Sequence, residues 1–323
     1  MQNLMNNINN MSHMRTTGFI YDWALFRRDV RRDVRNCALY MFFFYGVYLT
    51  VAIVADDLLS GYPDIYDLGI LSIASIVVGS LVFLIPRKRR FFTDIALPAT
   101  ERMTPKIFIV LIVVTQAIQL IYGIVMGVVD TLLPEGISIL ESYAEAFEEM
   151  VTPLSILYVV IVGPIFEELI FRGAVMGQLR KYGDNFAILF SSLFFGFYHA
   201  IIMQIPFAFV LGLLLGYAAA RWSLRASIAL HIIVNGFATL FVDSDNAELA
   251  IVGVLVMIVC VILAFVFLAI WNSTLKLRIR GSAAFYPHTY ANGFSSVAFW
   301  LFIIVMTAFG VAQMQVVSLL ELA

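Results

Sequence analysis

The stretch Ile161-Val-Gly-Pro-Ile-Phe-Glu-Glu-Leu-Ile-Phe-Arg-Gly173 sets two adjacent glutamates among apolar residues. It belongs to an apolar run over residues 151–171, which is long enough to cross roughly 30 Å of hydrocarbon as an α-helix. Charged side chains are costly in such surroundings, so ionisable residues inside a membrane span are candidates for chemistry or transport. Glu167 and Glu168 therefore indicate a functional site within a membrane-embedded helix.

The composition of the whole chain agrees with this interpretation. Its 323 residues are 62% hydrophobic and 13% charged, and the mean hydropathy of +0.93 excludes an ordinary soluble domain. The sequence predicts an all-α polytopic membrane protein with nine transmembrane helices, one of which is the run at residues 151–171. The other apolar runs lie at 36–55, 68–85, 107–129, 186–203, 206–220, 226–242, 249–270 and 296–316. The run at 206–220 is short, and its junction with the preceding run is the least defined boundary.

The charges predict an orientation. With the N-terminus in the cytoplasm, all 20 Lys and Arg residues fall on the cytoplasmic side, as the positive-inside rule requires, and 14 of the 22 acids fall outside. The basic clusters are interpreted mainly as topology determinants, although they would also meet anionic lipid headgroups. No pattern typical of nucleic-acid binding is present. The basic groups are Arg15 with Arg27 to Arg35, Arg87 to Lys106, Arg172 with Arg180 and Lys181, Arg221 with Arg225, and Lys276 to Arg280.

Composition and the position of the paired glutamates divide the chain into five regions. We predict a disordered cytoplasmic tail, an interfacial amphipathic helix, N-terminal membrane helices with an acidic outer loop, a candidate catalytic core around the glutamates, and C-terminal membrane helices. The acidic loop between Asp130 and Met150 is compatible with a short amphipathic helix. We expect no cleavable signal peptide before the first span. Cys37 and Cys260 have neither disulfide nor zinc-type spacing. The regions are 1–18, 19–35, 36–150, 151–242 and 243–323, in that order.

Helical spacing assigns different roles to the two glutamates. Residues four apart share a helix face, whereas neighbours diverge by about 100°. Glu168 and Arg172 can therefore form an ion pair, while Glu167 points elsewhere and stays available for reaction. Two further titratable side chains, His199 and His231, lie in apolar spans.

The same spacing places Phe195 beside His199, and His231 beside Asn235, so the second pair can present two hydrogen-bond donors to one point. A carboxylate acting as general base, a histidine and a His/Asn donor pair suffice to hydrolyse an amide. Single polar residues in spans more often join helices structurally, and Phe195 is interpreted as packing. Their combination on separate spans, near the cytoplasmic half, favours a reactive site.

The motifs Glu167-Glu168-x-x-x-Arg172, Phe195-x-x-x-His199 and His231-x-x-x-Asn235, in this order, resemble the CAAX protease and bacteriocin-processing enzyme family. This family, also called Abi or CPBP, includes the Ras-converting type II prenyl endopeptidases. The resemblance covers roughly residues 150–240.

The resemblance implies an eight-helix intramembrane protease core in a membrane protein, here expected in a bacterial plasma membrane. It assigns water activation to Glu167 and His199 and an oxyanion site to His231 and Asn235, with Glu168 and Arg172 as supporting partners. We expect no cofactor. Two histidines and a glutamate could hold zinc, but these three ligands would come from three helices and the H-E-x-x-H signature is absent. Zinc is therefore disfavoured, and a zinc-dependent variant is the alternative.

The leading hypothesis is an intramembrane endopeptidase that cuts a hydrophobic, lipidated or membrane-associated peptide near the cytoplasmic surface. A non-proteolytic scaffold or bacteriocin-immunity protein of the same family is the alternative from another class. A proton-coupled transporter is a third, but the polar motif is not repeated in the other half of the chain.

Overall fold

The computed structural model describes residues 23–62, 67–87, 101–134, 138–148, 152–242, 246–271 and 288–320. Every regular element within these ranges is helical, which confirms the predicted all-α class. The predicted tail at 1–18 lies outside the described residues. The helices are α1 Trp23–Leu59, α2 Leu68–Arg87, α3 Pro105–Thr131, α4 Ile139–Glu148, α5 Pro153–Tyr182, α6 Asp184–Tyr198, α7 Gln204–Arg221, α8 Leu224–Val242, α9 Ala247–Trp271, α10 Thr289–Phe294 and α11 Val297–Leu320.

A helix occupies each of the nine predicted spans. In the described part of the chain, six helices are long and apolar enough to cross a membrane, namely α1, α3, α5, α7, α8 and α9. Helices α2 and α11 contain shorter apolar segments. The chain is therefore an integral, multi-pass membrane protein.

Helix α1 joins two elements that the sequence analysis separates. The interfacial segment at 19–35 and the span at 36–55 form one continuous helix from Trp23. No glycine or proline interrupts it before Gly46, so nothing in the chain breaks the helix at residue 35. The buried carboxylate of Asp33 accepts a 2.7 Å hydrogen bond from the Tyr182 hydroxyl and lies 2.5 Å from the Lys181 ammonium nitrogen. The polar start of α1 is thus docked on the end of α5.

The acidic loop contains the short helix that its composition predicts. Asp130 caps α4, because its Oδ1 accepts hydrogen bonds from the backbone N–H groups of Ile139, at 2.6 Å, and Leu140, at 3.2 Å.

Helix α5 contains two π-helical segments, Tyr158–Val162 and Leu169–Val175, on either side of the paired glutamates. Pro164 explains the first of them. Because proline has no N–H, the carbonyl four residues before it, that of Val160, has no donor in an α-helix. The N–H of Gly163 instead bonds five residues back, to the carbonyl of Tyr158.

The hairpin of α6 and α7 is closely packed through small residues. A methyl group added at Gly212 would lie 3.1 Å from the Phe195 ring, so glycine permits this approach. Helix α6 ends at Tyr198, earlier than the predicted span at 186–203. The backbone of Ala200, with φ of 52°, turns into the left-handed region and stops the helix.

Candidate active site

A cavity of about 260 Å³ lies between α1, α5, α8 and the α6–α7 hairpin. Four predicted catalytic side chains, from α5, α8 and the turn after α6, line it together. They are Glu167, His199, His231 and Asn235. Much of the remaining wall is aromatic, formed by Tyr45, Tyr48, Tyr158, Phe195, Tyr198 and Phe207. The arrangement provides polar groups inside an otherwise apolar pocket.

Glu168 is withdrawn from this cavity and fully paired. Its Oε1 lies 2.9 Å from Nη1 of Arg172, and both side chains are 0% exposed. The ion pair predicted from their spacing is therefore confirmed. Ser227 donates to Oε2 of Glu168 at 2.5 Å, and Arg172 donates to the carbonyl of Gly212 at 3.1 Å. These bonds tie α5 to α7 and α8, and they satisfy a charge that would be costly alone.

Glu167 faces the cavity instead. Its side chain is 11% exposed, and its Oε2 lies 3.7 Å from Nε2 of His231. This distance exceeds that of a direct hydrogen bond, which leaves the carboxylate able to contact a water or a substrate.

His231 lies between the two glutamates. Its Nδ1 is 3.1 Å from Oε1 of Glu168, and a carboxylate that is already paired with Arg172 acts as acceptor, so Nδ1 is the donor. The bond fixes the ring with Nε2 directed at Glu167 and the cavity. Glu168 therefore orients His231 while Glu167 remains available.

His199 is the residue directly after α6, where it caps the helix with a backbone still in the helical region, at φ of −64° and ψ of −26°. Its Nδ1 donates to the carbonyl of Phe195 at 2.8 Å, because a carbonyl only accepts. In the neutral ring this leaves Nε2 as a proton acceptor. The Phe195 ring lies edge-on to both His199 and His231, with centroid separations of 4.8 and 5.6 Å, and the Arg172 guanidinium lies over it at 4.3 Å. Phe195 packs beside His199, as predicted, and also supports His231.

Asn235 is held by the π turn of α5. Its Nδ2 donates to the carbonyl of Val159 at 2.9 Å. In a regular α-helix the N–H of Gly163 would donate to the Val159 carbonyl, but here it donates to the carbonyl of Tyr158. In the π-helical pattern the donor to Val159 would be residue 164, and this is a proline, which has no N–H. One N–H of the Asn235 amide is thus committed to positioning, and the second is left for another acceptor.

Sequence reasoning missed three side chains that contribute to the site. Ser227 precedes His231 by four residues and shares its helix face, so the spacing rule used for the other pairs could have found it. The hydroxyls of Tyr48 and Tyr158, 3.5 Å apart on different helices, carry no such signal.

The zinc alternative depends on the available donors. Among the described residues, no group of three His, Cys, Asp or Glu side chains is placed to hold a metal ion. The Nδ1 atoms of His199 and His231 are already engaged, which leaves their Nε2 atoms and Glu167 as the donors that face the cavity.

Comparisons with known proteins give two similarities. Residues 149–237 match the family described as type II CAAX prenyl endopeptidase Rce1-like, a range that contains all seven predicted site residues. The chain is also similar to the membrane-embedded CAAX protease MroQ of Staphylococcus aureus (strain USA300), with 29% identity over 139 residues, covering 39% of this chain and 54% of that protein. It thus spans about half the length of this curated relative. No solved structure matches the chain.

Proposed function

We propose that this chain, whose residues 149–237 match the Rce1-like family of type II CAAX prenyl endopeptidases, is an intramembrane endopeptidase of the glutamate type. One observation carries the proposal: Glu167, His199, His231 and Asn235 line a single cavity, whereas Glu168 is paired and buried behind it. The substrate is a hydrophobic, lipidated or membrane-associated peptide, and the aromatic wall suits apolar side chains. The chain lies in a bacterial plasma membrane with its N-terminus in the cytoplasm, as its charges favour.

In the proposed reaction, Glu167 removes a proton from a water molecule that Nε2 of His199 helps to orient. The resulting hydroxide attacks the carbonyl carbon of the scissile peptide bond. Asn235 donates to the oxyanion through its second N–H, and His231 donates through Nε2 as an imidazolium whose Nδ1–H stays bonded to Glu168; such bonds are strong in a site of low polarity. The proton taken by Glu167 then passes to the leaving amine and the peptide C–N bond breaks. Glu167 is again a carboxylate, and the hydrogen bonds of His231 and Asn235 to the oxyanion are released.

The experiment that tests this function identifies a substrate first. Membrane peptides that accumulate in cells lacking the protein would be identified by mass spectrometry, synthesised, and incubated with the purified protein in lipid nanodiscs. Cleavage of an accumulated peptide supports the proposal. If the accumulated peptides bind without being cut, the chain is a binding protein of the same family.

We expect Asn235→Ala to lower kcat by about 10²- to 10³-fold, because one oxyanion donor is lost. The substrate KM should change little, since the ground-state carbonyl is bound less strongly than the oxyanion. Steady-state cleavage in nanodiscs measures both constants. Asn36→Ala, on α1 outside the cavity, where the amide makes only an exposed 3.5 Å contact with Arg35, is the matched control. An unchanged kcat in Asn235→Ala contradicts the oxyanion role.

We expect activity to survive removal of metal ions. Prolonged incubation with a strong chelator, followed by gel filtration into metal-free buffer, should leave the cleavage rate unchanged, because the proposed base and donors are all side chains. Metal content measured on the same sample shows that extraction is complete. Loss of activity that zinc restores would instead establish the zinc-dependent variant.

A further inference from the structure

The cavity is not centred in the helix bundle. On α5, its lining residues run from Tyr158 to Glu167, all in the first half of a 30-residue helix. On α7 they run from Gln204 to Leu211, again in the first half, and on α6 they belong to the last turn. Because α5 and α7 run antiparallel to α6, these three sets lie toward the same end of the bundle.

The other two helices agree. Tyr45 and Tyr48 lie in the second half of α1, and Asn235 lies in the second half of α8. His231 is the exception, seven residues after the start of α8 and 11 before its end. His231 lies at the inner end of the cavity, on the side of the buried Glu168 that it contacts.

The basic residues mark the opposite end of the bundle. The last turn of α5 carries Arg180 and Lys181, just before the connection to α6, and the turn between α7 and α8 lies between Arg221 and Arg225. The turn at 199–203, which closes α6 onto α7 beside the cavity, has no Lys or Arg. By the positive-inside rule, the turns with the basic residues face the cytoplasm.

Packed side chains separate the cavity from that basic end. Glu168, Arg172 and Ser227 are at most 2% exposed, and Phe171 and Phe186 are 0% exposed. Among the described residues, this buried layer therefore lies between Glu167 and the basic end of the bundle.

We propose that the active-site cavity opens toward the extracytoplasmic face of the membrane. Resting on the proposed function, this narrows the substrate class to peptides presented from that face, such as the exported or outer-leaflet part of a membrane peptide. A lipidated C-terminus confined to the cytoplasmic surface would be on the wrong side. The sequence-based expectations of a site near the cytoplasmic half, and of cleavage near that surface, do not fit the positions of His199 and Gln204.

Cysteine labelling in intact cells tests this orientation. In a background with Cys37→Ala and Cys260→Ala, single cysteines are introduced at Gln204, which lines the cavity, and at Lys181, whose side chain is 56% exposed at the basic end. Leu132→Cys, at a side chain 77% exposed after α3, reports the outer surface independently of the cavity. A charged, membrane-impermeant maleimide is added before or after permeabilisation.

We expect Gln204→Cys and Leu132→Cys to be labelled in intact cells, and Lys181→Cys only after permeabilisation. Labelling of Gln204→Cys only after permeabilisation, or under neither condition, overturns the proposal. Labelling does not require catalysis, so the two proposals fail separately. Cleavage combined with cytoplasmic access to Gln204 rejects only the orientation, whereas outside access without any cleaved substrate rejects only the protease.

Discussion

Glu167→Gln is expected to cleave its substrate about 10² to 10⁴ times more slowly than the unchanged protein, the loss typical of removing a general base. The amide has nearly the size of the carboxylate but cannot accept a proton from water. Single-turnover cleavage in nanodiscs, with protein in excess over peptide, measures the chemical step directly. The loss should fall on this rate, while peptide affinity is retained.

Folding should survive this change, because Glu167 lies 3.7 Å from His231 and the buried ion pair is made by its neighbour. Glu141→Gln, an exposed acid on α4, is the matched control and should retain full activity. Full activity in Glu167→Gln would reject the assignment. The scaffold hypothesis makes a different prediction, since a Glu167→Gln/His199→Gln protein would then still restore the phenotype of cells that lack the chain.

Arg172→Met is expected to lower the free energy of unfolding by about 3–5 kcal/mol, the usual cost of removing one partner from a buried ion pair. Both side chains are 0% exposed, so water cannot replace the guanidinium beside Glu168. The hydrogen bond to the carbonyl of Gly212 is lost as well. Reversible unfolding in mixed detergent micelles, followed by circular dichroism, measures the change.

Two variants separate this effect from a general loss of packing. Adding Glu168→Gln to Arg172→Met removes the unpaired charge and should recover part of the loss. Glu101→Gln breaks a pair with Arg221 whose side chains are 49% and 30% exposed, and should cost no more than about 1 kcal/mol. A cost for Arg172→Met as small as that for Glu101→Gln would show that the buried pair is not important for stability.

Much of the fold follows from the sequence because hydrophobic runs determine membrane helices directly. A helix lies in each of the nine predicted runs, and the Glu168–Arg172 pair follows from residues four apart. Length alone could not place the end of α6, since residues 199–203 are as apolar as the helix before them. The left-handed backbone at Ala200 ends it, and alanine gives no sign of this conformation.

The candidate site was predicted as a set of residues but not as a geometry. Periodicity separates Glu167 from Glu168, yet it cannot show that His231 contacts Glu168 through one ring nitrogen and faces Glu167 with the other. That contact depends on how α8 packs against α5. The tyrosines that line the cavity likewise come from separate helices. The position of the cavity along the bundle can be seen only when the lining residues of neighbouring antiparallel helices are compared.

The proline-induced π turn of α5 makes two distant parts of the sequence dependent on each other. The missing N–H of Pro164 contributes to releasing the Val159 carbonyl, and that carbonyl holds the amide of Asn235 on another helix. The orientation of Asn235, the proposed oxyanion donor, therefore depends on a residue 71 positions upstream, through a backbone irregularity rather than a contacting side chain. Grafting only the polar side chains onto a regular α-helical scaffold would reproduce the motif without the Val159 carbonyl that orients Asn235.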